Sequence, residues 1–132
     1  MARTEPLPKS RYLVYLQRAK EFSEQMERAA SDRAWNSVGL LGVHSVISAC
    51  DALTVRLGGR RWSGQSHSGV LDVVRDLNLP DPDPLLRQIA EILELKNQVE
   101  YEDRVFTEKE ALELKRTSER ILSSIQRRIS TS

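Results

Sequence analysis

The chain has 132 residues, 39% hydrophobic, 30% charged and 5% aromatic, with a formal net charge of +1. This length suits one domain with a real core, and the balanced charge gives no strong whole-chain field for nucleic acid. Few aromatics argue against a stacking platform for single strands, and one cysteine excludes an intrachain disulfide and a Cys-rich zinc site.

The elements follow in chain order. Residues 1–9 read as a loosely ordered, flexible Pro-containing arm, and no signal core or membrane-length apolar run is evident, so the expectation is a cytoplasmic protein without a membrane. A first helix spans about Ser10 to Ala30, with Tyr12, Leu13, Tyr15, Leu16, Ala19, Phe22, Met26 and Ala30 in its stripe. Ser31 and Asp32 offer N-caps for a second helix from about Arg33 to Leu57, which Gly58-Gly59 ends. That helix is apolar almost all round and is the expected centre of the fold. A loop, Arg60 to His67, leads to a short helix from Gly69 to Leu77. Asp83 and Pro84 then open a fourth helix reaching about Asp103, and Thr107 to Glu110 form a capping box for a fifth. No segment alternates as a strand. The expected fold is all-α: an up-and-down four-helix bundle with an additional short helix, as a single domain over residues 10–130.

Polar groups interrupt two of the apolar helices. His44, Ser48 and Asp51 fall on one line of the second helix, so they form either a cleft seam, with Asp51 facing a cation such as Lys96, or a strip open to solvent. On the fourth helix, Lys96 and Glu100 project from the middle of the stripe built by Leu86, Ile89, Ile92, Leu93 and Val99, while Asn97 and Tyr101 lie at its edge. Either the core ends near Lys96 or these charges are buried against partners. Arg60, Arg61 and His67 share the loop and offer a phosphate or partner contact, or a solvated basic turn. His44 and His67 lack metal-ligand spacing, so no metal and no cofactor are expected. Cys50 reads as a buried, inert thiol. Gly39 and Gly42 would allow close approach of another helix. The arginines late in the fifth helix suit its dipole and read as a solvated face.

Three segments together resemble the HEPN domain family (higher eukaryotes and prokaryotes nucleotide-binding domain), in a compact stand-alone bacterial form of actinobacterial type. They are Ala49-Cys50-Asp51-Ala52-Leu53, the Gly-Gly-Arg-Arg loop reaching His67, and Leu95 to Glu102 before Phe106 to Ala111. The resemblance implies a helical bundle that pairs into a homodimer, and many members are metal-independent ribonucleases. Their motif is Arg, often followed by Asn, then four to six residues to a His. Here Lys96, Asn97 and Tyr101 occupy those positions as the implied catalytic set. Tyrosine, with a pKa of about 10, is a poor base near neutrality, and lysine lacks the planar fork of arginine. Arg61 and His67 also meet the bare spacing, with five residues between them, but in a loop.

The resemblance therefore implies a dimeric module that binds RNA or nucleotide phosphate with weak or no cleavage. Lys96 would hold the phosphate, Asn97 and Tyr101 would add hydrogen bonds, Asp51 and Glu100 would orient Lys96, and Arg60, Arg61 and His67 would contact ligand. The alternatives are a metal-independent endoribonuclease acting as a toxin, stress or anti-phage effector, and a helical scaffold. A cognate antitoxin or nucleotidyltransferase is an implied partner.

Overall fold

The structure, a computed structural model, describes residues 3–132. The elements are β1 (Thr4–Pro6), a 3-10 turn (Lys9–Arg11), α1 (Tyr12–Ser31), α2 (Trp35–Gly58), β2 (Arg60–Trp62), α3 (Gly69–Arg75), α4 (Asp83–Tyr101) and α5 (Glu108–Ser130). The fold is all-α, as expected, and α2 is its axis. It packs against α1 on one side and α5 on another, and α4 lies against both α2 and α5. Leu53 of α2, Ile89 of α4 and Ile121 and Ile125 of α5 are fully buried. Each such side chain contributes roughly 1.5–3 kcal/mol through burial.

Specific contacts set the helix spacing. Ser45 donates to the Ala19 carbonyl at 2.9 Å, joining α2 to α1. A methyl group at Gly42 would overlap the Leu114 side chain, so glycine is what lets α5 lie this close. Gly39 receives the Phe106 ring in the same way. The capping box holds: Glu110 N–H donates to Thr107 Oγ1 at 3.2 Å, and Thr107 N–H donates to Glu110 Oε1 at 3.0 Å.

Several local expectations need correction. Ser31 and Asp32 do not cap α2. They close α1 in a Schellman turn, with Arg33 left-handed at φ 58° and Ala34 N–H donating to Ala29 O at 2.9 Å. α2 then starts at Trp35 without a side-chain cap. Asp83 lies inside the first turn of α4 and makes no side-chain cap. α2, at 24 residues, does have the length and composition of a membrane span, contrary to the sequence reading, but 78% of its apolar window is buried inside the fold.

A small sheet was not foreseen. β1 pairs antiparallel with β2, setting Glu5 opposite Arg61, so the described part of the N-terminal arm is tied down. Leu7 N–H donates to Gly59 O at 2.9 Å and Ser63 N–H to Arg3 O at 3.0 Å. Gly59, at φ 65°, reverses the chain at the end of α2 and sends β2 back along it.

Candidate ligand cleft

Because β2 turns back, the loop after α2 folds over that helix. Ile47 and Asp51 of α2, Val70 of α3, and Arg61, Trp62 and His67 of the loop enclose about 130 Å³. The Trp62 indole N–H donates to the Ser66 carbonyl, and its ring fills the space that a methyl at Gly64 or Gly69 would need. These two glycines let the aromatic ring lie flat as one wall of the cleft.

Arg61 is held loosely. Its guanidinium stands 5.5 Å from the Tyr15 ring centroid, with Arg18 at 5.4 Å from the same ring. Its terminal nitrogens are 3.6 Å from Glu5 and 3.9 Å from Asp51, beyond good hydrogen-bond distance. Its buried Nε has no hydrogen-bond partner among the described residues. Asp51 is the only buried acid among the described residues, with its side chain 10% exposed. Burial pushes its carboxyl up from 3.8 to about 7, against the pull of Arg61 and Arg18. Near neutrality Asp51 therefore exists both as an acid that can donate and as a carboxylate that can accept.

His67 is held below its usual value of 6.5, first by burial and then by the charges of Lys96 and His44, with Glu100 pulling the other way. Its imidazole is neutral at pH 7. Lys96 is the cation beside it. The Lys96 side chain is 16% exposed, and its ammonium lies 3.0 Å from Glu100 Oε1 and 3.1 Å from Oε2. The aliphatic stem is buried while the charge reaches its partner at the surface.

The sequence-derived set thus divides. Asp51, Arg61 and His67 line one cleft, while Lys96 and Glu100 lie outside its lining and act on His67 through their charges. Asp51 faces Arg61, not Lys96, because the i,i+4 geometry gives Lys96 to Glu100. Arg60 turns away to Asp76 at 3.4 Å. Asn97 is exposed and Tyr101 is 91% exposed at the end of α4. Five positions separate Lys96 from Tyr101, about 140° around the helix, so the two point in different directions within one chain. Cys50 is fully buried and its thiol is pushed up, so it is inert as expected.

Trp62 was missed as a cleft wall, and Arg18 was missed as a charge acting on Asp51. Arg18 had one signal, its place one turn after Tyr15 on α1. His44 lay in the polar seam of α2, and its ring now packs against Phe22 with centroids 5.5 Å apart. Among curated proteins and among solved structures, none matches this chain. The model of the HEPN domain matches residues 12–128, nearly the whole chain, and this protein belongs to the HEPN domain family.

Proposed function

We propose that this HEPN domain binds RNA or nucleotide phosphate in the α2 cleft, as a homodimer, with little cleavage. The observation that carries the reading is Arg61. Its half-buried guanidinium has a buried Nε without a partner, and its terminal nitrogens keep only long contacts to carboxylates, so an anion would complete them. Lys96 supplies a second cation beside His67. A protonated Asp51 removes the like charge that would repel phosphate. Weak cleavage follows from Lys96 and Tyr101 standing where the family's pair stands, with Tyr101 turned to solvent. Leu40, Tyr101 and Val105, at 47%, 91% and 62% exposure, support pairing with a second copy.

One observation favours a second reading, a metal-independent endoribonuclease. His67 is neutral beside the Lys96 ammonium. A neutral imidazole can take the proton of a ribose 2′-hydroxyl as that oxygen attacks phosphorus. The departing 5′-oxygen takes a proton from solvent, while Lys96 balances the charge on the phosphorane. Labelled RNA in EDTA separates the readings. Binding without cleavage, weakened in Lys96→Ala, supports the first. Cleavage lost in His67→Ala supports the second. Unchanged affinity in Lys96→Ala and Arg61→Lys would remove the cleft from both.

A further inference from the structure

The arginines late in α5 satisfy the helix dipole on sequence grounds, yet three of them border a hollow. Between the first turns of α4 and the last turns of α5, Gln88, Arg120, Ser124, Arg127 and Arg128 line about 320 Å³, with Asp81 as the one acid. A second hollow of about 250 Å³ shares Arg120 and Arg127 and extends along α5 past Glu119. Glu119 is already bonded to Lys115 at 3.0 Å.

The arginines divide by role. Arg128 is fixed, donating to Pro80 O at 2.7 Å and Asp81 O at 2.8 Å. The turn that offers those carbonyls is strained, with Asn78 at φ 53° and Asp81 at φ 48°. Arg120 and Arg127 join no ion pair and donate no side-chain hydrogen bond among the described residues. The groove therefore holds one anchored guanidinium and two uncommitted ones.

We propose that this groove is a second anion site that carries the phosphodiester backbone of a single-stranded nucleic acid outside the α2 cleft. Guanidinium forks match phosphate oxygens, and Gln88 and Ser124 add neutral hydrogen bonds. Arg120 and Arg127 stand about 10 Å apart along the helix axis, far enough to meet two different phosphates of one strand. No aromatic lines either hollow, so the contact is independent of sequence and sensitive to salt. The site goes beyond the cleft reading and does not depend on it.

The test uses the full chain in EDTA with a labelled oligouridylate, over a series of salt concentrations. Arg120→Gln/Arg127→Gln is compared with wild type, in both native and Lys96→Ala backgrounds. Neither arginine holds the fold, so the thermal melt should not move. Binding should weaken in both backgrounds, and the slope of log affinity against log salt should flatten by about 1.4, at about 0.7 per phosphate contact. An unchanged slope, no binding by wild type at low salt, or equal affinity for an acidic peptide would each overturn the proposal. Complete loss of binding in Lys96→Ala alone would overturn it too, while leaving the cleft reading intact.

Discussion

Two arginines in this molecule each face a pair of carboxylates, with opposite results. In the turn between α4 and α5, Arg104 bonds Glu102 at 2.7 Å and grips Glu110 with both terminal nitrogens at 2.8 and 2.9 Å. That pairing, with the Thr107 N–H, pulls Glu110 down from 4.5 to about 2. In the cleft, Arg61 stands 3.6 Å from Glu5 and 3.9 Å from Asp51, and burial pushes Asp51 up to about 7. The first pair is complete: charges are matched, bonded and partly in water. The second leaves a buried carboxyl only partly compensated and a guanidinium nitrogen unbonded. A structural ion pair closes on itself, whereas a binding site leaves capacity for a ligand.

The largest effect that would break this contrast is on ligand affinity. Lys96→Ala should weaken binding of an RNA or nucleotide by about 10- to 100-fold, the scale of a lost hydrogen bond to a charged group, whereas Arg104→Ala should leave binding unchanged. Equal losses would show that the two regions do not differ in function. Titration of each purified variant in EDTA reads this directly.

Stability against pH sharpens the contrast, because the two acids have opposite signs. Asp51 has a folded pKa above its unfolded value, so its contribution falls as pH rises from about 4 to about 7 and stays low above that. Asp51→Asn should therefore stabilise the protein by about 1–3 kcal/mol at neutral pH and flatten that part of the profile. Glu110 has a depressed folded pKa, so its contribution is present above 4.5 and lost as pH falls through about 2. Glu110→Gln should instead remove stability at neutral pH and reduce acid sensitivity. Urea unfolding across pH tests both, and slopes of the same sign would contradict the account.

A smaller effect lies at the cap of α5. Thr107→Ala should cost about 1 kcal/mol, by loss of the bond to Glu110 N–H, without altering ligand affinity. The smallest effect is expected from Tyr101→Phe. With Tyr101 91% exposed and turned away from Lys96, the loss of its hydroxyl should leave monomer stability unchanged. A clear loss of RNA affinity in Tyr101→Phe would show that the family-like Lys96-to-Tyr101 arrangement is assembled across a dimer.

The helices were legible because their apolar stripes repeat at helical period, and Gly59 and Thr107 mark ends by purely local chemistry. The start of α2 was not. Ser31 and Asp32 look like N-caps, but a Schellman turn completed through Arg33 took those positions for the end of α1. The candidate site was half legible. The polar seam of α2 gave Asp51, and the apolar stripe of α4 singled out Lys96. Their supposed pairing failed because Glu100, four residues on, was nearer. Arg61 and His67 were visible only as spacing in a loop. What gives that spacing meaning is the pairing of residues 4–6 with residues 60–62, a contact between distant segments with no local signature. Arg18 comes within reach of Asp51 only through the packing of α1 on α2.

The cleft around Arg61 and His67 is proposed to take a phosphate. Titration of the His67 imidazole by NMR, with and without a nucleoside monophosphate in EDTA, tests it most directly. The expected result is a pKa below 6.5 in the free protein, raised when the anion binds. A value at or above 6.5 that nucleotide leaves unmoved would contradict it.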